Sequence, residues 1–484
     1  MSIRSFFVCV FFVCIIACAV VPISVAQEKA ADSFSTSITK YQEVSQKIIN
    51  AARAENDSYL KLQELCDDIG HRISGSPQLA QAVEWAQKSM KADGQENVRA
   101  ERVMVPKWVR GNEWCRMTTP REVDLPMLGL GFSVGTPEEG LSAEVVVVAS
   151  KAELDELADE DVRGKIVLFN FPMRQYSPEE GSGYGEAVQY RTNGARWASE
   201  RGGIAALVRS VTAYSLQSPH TGVMRYAGLG EHKKVPAAAI TTESAMMLDR
   251  LYKRGKRPTV KLYMEAKDEG EVPSANVLAE IVGTEKPDEI VVIGGHLDSW
   301  DVGQGAQDDG GGCVAAMEAL NILRKLELKP RRTIRVVLWT AEENGAAGAR
   351  SYAARHVDDV HVAGIESDSG TFRPQGLTIE MEDGNKQVIA VKQLQAITNL
   401  LEPIGASRSL NGFSGVDVGK LKPMGAACMG LKVDGRFYFN THHTTADTVD
   451  KVDPDDLTDC SITLAVTAFI LADMPGRLGE LEEE

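Results

Sequence analysis

The chain has 484 residues, 43% of them hydrophobic, and a formal net charge of −16. That length exceeds one ordinary domain and predicts two or three, each with enough apolar sequence for a core. The acidic balance, with no basic stripe, excludes nucleic acid as a partner and leaves the substrate open.

Residues 1–26 stand apart. Arg4 supplies a small positive n-region, Phe6 to Cys18 an apolar h-region, and Ser24-Val25-Ala26 a small-residue cleavage site. The expectation is a signal peptide removed near Ala26 and a secreted or periplasmic protein. Lipid attachment at Cys18, in Ile15-Ile16-Ala17-Cys18, is the alternative, and the apolar residues continuing beyond Cys18 speak against it. No later segment approaches the ~20 apolar residues of a membrane span. Outside the leader the five cysteines Cys66, Cys115, Cys313, Cys428 and Cys460 are scattered, odd in number and without a CxxC pair. A disulfide framework or a cysteine-based zinc site is therefore not expected.

Residues 27–118 read as helix, loop, helix, strand. Asp57 is placed to cap a helix carrying Leu60, Leu62 and Leu65, and a second helix runs from Gln78 to Lys91 with Ala80, Val83, Trp85 and Ala86 as core positions. A strand is expected from Val98 to Val105, and His71, with no second ligand nearby, reads as a structural histidine. Residues 119–266 carry short strands, glycine turns and one clear helix, Gly194 to Arg201, without an acid or histidine cluster. His220 and His232 lie in a polar loop and are expected to be solvent-exposed. This segment reads as an inserted β-rich domain. Its pieces Val162-Arg-Gly-Lys-Ile-Val-Leu168, Gly194-Ala-Arg-Trp197 and Val235-Pro-Ala-Ala-Ala-Ile240 resemble the protease-associated domain.

From 267 to 478 strands and helices alternate, ahead of an acidic tail at 479–484. Strands are expected at Ala275 to Ile281, Ile290 to Ile293, Thr333 to Trp339, His361 to Ile365, Leu377 to Met381 and Met424 to Lys432. Helices are expected at Gly311 to Lys325, Gly348 to His356, Lys386 to Leu401 and Pro454 to Met474. Such alternation predicts an α/β fold, a mainly parallel mixed sheet between two helical layers.

Four strand ends of that sheet carry acids or imidazoles. The strand ending at Ile293 runs into Gly294-Gly-His-Leu-Asp298, which places His296 and Asp298 at the sheet rim with Asp308 twelve residues beyond His296. The strand ending at Trp339 runs into Thr340-Ala-Glu-Glu343, the strand ending at Ile365 leads to Asp368, and a late loop holds Thr441-His-His-Thr-Thr-Ala-Asp447. Carboxylates at a buried rim are costly unless cations offset them. Three carboxylates, Asp308, Glu343 and Asp368, with two imidazoles, His296 and His443, suit a pair of Zn²⁺ ions sharing one bridging carboxylate; an all-oxygen Mg²⁺ or Ca²⁺ site has no use for two histidines. That chemistry is amide hydrolysis, and one of Glu342 and Glu343 fits the general base.

These pieces resemble the M28 family of zinc peptidases in order and spacing: Gly295-His-Leu-Asp-Ser-Trp-Asp-Val-Gly-Gln-Gly305, Asp308-Asp-Gly-Gly311, Leu338-Trp-Thr-Ala-Glu-Glu343, Glu366-Ser-Asp-Ser-Gly-Thr-Phe372 and His442-His-Thr-Thr-Ala-Asp-Thr448. The likeness covers most of the mature chain and implies the three-layer zinc-exopeptidase fold. It implies that His296 and Asp368 bind one zinc, Glu343 and His443 the other, that Asp308 bridges them and that Glu342 is the general base. It further implies that Asp298 orients His296 from behind, that the Asp308–Asp309 peptide is cis, and that Asp301, Asp309 and Asp447 shape loops. Many relatives place a tyrosine before the last histidine ligand; His442 stands there in this chain and is expected to donate to the oxyanion, with a supporting structural role as the alternative. The resemblance suggests a homodimer and an exopeptidase acting on small peptides, dipeptides with a free amino terminus above all. Aminopeptidase or carboxypeptidase action on longer peptides, hydrolysis of a non-peptidic amide, a one-zinc glutaminyl cyclase and a non-catalytic receptor-like protein are the alternatives. All five ligands and Glu342 are present, which argues against the receptor. Arg408 and Arg436 are candidate partners for a substrate carboxylate.

Overall fold

A computed structural model describes residues 34–480. The leader 1–26 with Cys18, and the last four residues of the acidic tail, lie outside the described residues.

Two eight-stranded sheets organise the chain. In the first, the order is Glu96–Val109, Lys267–Ile281, Arg332–Trp339, Lys286–His296, Val360–Glu366, Ala427–Val433, Pro374–Glu380, Arg408–Asn411. Its central four strands are mutually parallel, and antiparallel pairings flank them. The central strands read as unbroken apolar runs because both faces are covered. On one face lie the helices Gly311–Lys325 and Pro454–Asp473; Ala347–Arg355 and the short turn Val418–Met424 cover the other. Gly311–Lys325 is buried on every side from Gly311 to Leu323, since Pro454–Asp473 and Ser58–Gln63 both pack against it.

The second sheet gathers Val123–Asp124, Glu113–Thr119, Thr259–Met264, Leu141–Val148, Ile166–Phe169, Ala205–Arg209, Ala237–Ile240 and Met127–Gly129 in that order. It too has four consecutive parallel strands, 141–148 to 237–240. Helix Tyr184–Glu200 covers one face and Thr242–Lys253 the other.

Several expectations need correction. The helix expected at Gly194 starts at Tyr184, and Gly194 sits mid-helix where a Cβ would press on the Phe169 ring at 3.0 Å. In Pro77–Ala92 the core face is Leu79, Ala82, Val83, Ala86 and Met90, so Ala80 is exposed and Trp85 is half-buried, donating to Glu64 at 2.9 Å. Leu60 points to solvent, and Asp57 makes no side-chain cap. His232 is exposed, but His220 is buried because its loop is pressed between the two lobes beside His443. Among the described residues all five cysteines are free, and no helix is long and apolar enough to cross a membrane.

Candidate active site

The chain leaves strand 286–296 toward 332–339 on one side and then returns to 360–366 on its other side. Strand order therefore reverses at 286–296, and a crevice opens beyond the carboxyl ends, the usual ligand position in such sheets. Three strand ends deliver His296, Glu343 and Asp368 there. The late loop brings His442 and His443, and Asp308 rises from the segment Ala306–Gly310.

The five expected ligands converge. His296 Nε2 lies 3.2 Å from Asp308 Oδ1 and 3.5 Å from Asp368 Oδ1, while His443 Nε2 lies 3.2 Å from Asp308 Oδ2 and 3.1 Å from Glu343 Oε2. Asp308 thus faces both imidazoles with different oxygens. All five are buried or nearly so; donor atoms of His296, Asp308 and Glu343 lie within 4.8 Å of one another, as do those of Asp308, His442 and His443 and those of His296, Asp309 and Asp368. Asp308 Oδ2 and Glu343 Oε1 are buried without any hydrogen-bond donor. Orphaned anionic oxygens facing imidazole nitrogens are what a cation site requires, and the mixed N/O donor set fits zinc.

The neighbouring residues fix this cluster. His296 Nδ1 faces the carbonyl oxygen of Asp298 at 2.9 Å, whereas the Asp298 carboxylate is 3.8 Å away and accepts the N–H groups of Glu342 and Glu343 at 3.0 and 3.3 Å. The orienting atom is thus main-chain, and the carboxylate instead pins the tight turn after strand 332–339, entered at Ala341 with φ 60°. Asp309 accepts from His296 N at 2.9 Å and Gly312 N at 3.2 Å; a Cβ on Gly295 or Gly312 would fall 2.2–2.3 Å from its carboxylate, so both positions need glycine. Asp447 accepts from Gln307 N and Asp308 N, Asp301 pairs with Arg110, and the Asp308–Asp309 peptide is cis.

Burial opposes charge on Asp308, but the two imidazoles outweigh it and hold its carboxyl well below the usual range. For Glu342 burial dominates; the carboxylates of Asp368 and Glu343 add to it against His296, and the carboxyl stands well above its ordinary value. Burial, then the charge of His443, keeps His442 neutral, with its pKa well below normal. The His442 ring stacks on His443 at 3.6 Å, a placement made by the left-handed backbone of His443 at φ 61°.

Several site residues were not visible in the sequence. Trp300 donates its indole N–H to Glu343 Oε2 at 2.5 Å, while its ring is buried in the core of the second lobe. Arg72, fully buried, donates to the carbonyls of Leu297, Gln304 and Gly305 and so ties down the loop after His296. The second lobe contributes Tyr184, Arg191, Val223 and Arg225 to a cavity of about 450 Å³ that also holds Asp308, Glu342, Glu343, Asp368, His442 and His443. Thr221 O meets His443 Nδ1 at 3.2 Å. Arg408 and Arg436 line none of it: Arg408 is exposed beside Gln375 and Arg436 pairs with Asp434. His71 belongs to no candidate metal cluster among the described residues.

Residues 276–468 match the model of peptidase family M28. The chain is 40% identical to carboxypeptidase Q of Mus musculus over 447 residues, 91% of this chain and 92% of that one. It is 39% identical to carboxypeptidase Q of Xenopus laevis over 468 residues, 96% of each. A solved peptidase M28 precursor from Shewanella amazonensis superposes with a TM-score of 0.85 at 33% identity, covering 92% of this chain and 100% of that one. The zinc aminopeptidase BSAP of Bacillus subtilis shares the fold, with a TM-score of 0.62 at 18% identity over 88% of this chain and 97% of that one.

Proposed function

The chain belongs to peptidase family M28, and on that footing we propose that it is a secreted or periplasmic dizinc exopeptidase that hydrolyses small peptides, dipeptides with a free amino terminus above all. The observation that carries this reading is the convergence of three carboxylates and two imidazoles at the cavity, with two buried carboxylate oxygens lacking donors.

His296 and Asp368 would hold one Zn²⁺ and Glu343 and His443 the other, with Asp308 between them. When bound, such a pair lowers the pKa of water and polarises a carbonyl. Glu342 takes the proton of the attacking water and returns it to the leaving amine; burial raises its proton affinity, which suits a group that must hold a proton between two steps. His442, neutral at working pH, offers an N–H to the oxyanion as it develops. If His442→Ala leaves kcat within a few-fold of wild type, the oxyanion role is lost and a supporting role remains. Asp309, Asp447 and Arg72 keep the ligand loops in register.

The test compares one unblocked dipeptide with its N-acetylated form on zinc-loaded protein. Cleavage of the first and not the second is expected. Cleavage of neither, with metal bound, would move the search to other amides.

A further inference from the structure

Arg191 carries a charge that the fold leaves unanswered. Its side chain is 4% exposed. The guanidinium donates to Tyr184 Oη at 2.9 Å and to Thr221 O at 3.5 Å, Nη1 lies 3.4 Å from His443 Nδ1, and Nε has no acceptor. None of these neighbours is an anion; no carboxylate among the described residues comes within ion-pair distance. A buried guanidinium without a counter-charge is costly, and proteins rarely keep one without use.

The arrangement is also built to hold the group still. Gly222, at φ 137°, lies against the guanidinium, and a Cβ there would fall 2.4 Å from it. Tyr184 is fixed in turn by stacking on Phe439 at 4.9 Å, and its ring meets His442 edge-on at 5.5 Å. Arg191 therefore cannot swing out to solvent. It stands in the cavity wall, on helix Tyr184–Glu200 of the second lobe, across from the acids that would hold the metals. Two dications held there would more than neutralise the three ligand carboxylates, so these acids could not also serve as the guanidinium's counter-charge.

We propose that Arg191, held by Tyr184 and Gly222, anchors the free α-carboxylate of the substrate, so that the second lobe selects short peptides by their carboxyl end. This rests on the small-peptide reading above and adds the end of the peptide that is read. Arginine's fixed donors match a carboxylate better than a lysine would at the same place. Only a peptide whose carboxylate reaches Arg191 while its scissile bond lies over the ligand cluster fits both, which restricts length. Arg225, exposed on the same wall, widens the positive field at the mouth.

The experiment measures kcat/KM of zinc-loaded wild type, Arg191→Gln and Arg191→Lys on a dipeptide and on the same dipeptide amidated at its carboxyl end. Wild type should prefer the free acid. Arg191→Gln should lose about 100-fold on the free acid, chiefly through KM, and at least tenfold less on the amide; Arg191→Lys should recover part of the loss. Calorimetric binding of the two peptides to Glu342→Gln, with and without Arg191→Gln, reads the same preference without turnover. Equal losses on acid and amide, or wild type indifferent to amidation, would overturn the anchor while leaving the peptidase intact. Failure of wild type to cleave either form would sink the peptidase reading and the anchor with it.

Discussion

The two lobes are built alike: each is an eight-stranded sheet with four consecutive parallel strands and helices on both faces. They differ at the carboxyl ends of those strands. In the first sheet the chain leaves the strands into His296, Glu342, Glu343 and Asp368; in the second it leaves them at Ala149, Asn170, Ser210 and Thr241. The same architecture thus makes a cluster of buried charge in one lobe and a neutral edge in the other. Architecture provides the crevice, and residue chemistry at a few positions decides its use. The second lobe takes part by facing the first, with Arg191, Tyr184, Thr221 and the socket for Trp300.

The contrast can be broken most directly by removing metal. Chelation is expected to abolish hydrolysis and Zn²⁺ to restore it, with elemental analysis giving two metals per chain. A fully active protein with one would end the dizinc scheme. Next in size is Glu342→Gln, which should lower kcat by about 10³-fold with metal content unchanged; parallel loss of metal would make Glu342 a ligand instead of the base. Trp300→Phe tests how far the neutral lobe supports the charged one. Loss of the indole donor to Glu343 should weaken metal affinity by roughly 10-fold, read by competition with a chelating dye, and an unchanged affinity would confine the Trp300 contact to packing.

The smallest effect is a pH dependence shared by both lobes. Burial pushes His361, in the first sheet, down to about 4, and His220, in the second lobe, down to about 3. Each is neutral when folded and takes up a proton on unfolding below about pH 6.5. Their contribution to stability is therefore full above that pH and is lost as pH falls toward 4 and 3. For His361 the loss is at most about 3 kcal/mol. The thermal midpoint of His361→Phe should fall less steeply between pH 6.5 and 4 than that of wild type; identical slopes would refute it.

Much of this was legible because the informative residues follow their strands immediately. Val336-Val-Leu-Trp339 announces a buried strand, and Glu342 and Glu343, three and four residues later, must lie at its rim. The order of the proposed ligands along the chain needed no tertiary knowledge. Arg191 and Trp300 were not legible, since their partners are far off: Arg191 meets His443 across 252 positions and Trp300 meets Glu343 across 43. His220 was misread for the same reason, as a polar loop is buried only when a second lobe closes over it. In Pro77–Ala92 the error was one of phase: Ala80 and Leu79 are adjacent, and only packing shows which one faces the core.

The placement of Trp300 bears on how the molecule comes apart. Its ring is 2% exposed, wedged against Gly131, where a Cβ would fall 2.2 Å from the indole, and it packs with Ile73 and Trp108 in the second lobe's core. Separating the lobes would pull the indole out of the second lobe's core and open to water the Glu343 carboxylate it donates to. The lobes should therefore melt as one cooperative unit, in a single calorimetric transition, and neither half released by proteolysis should persist in its native form.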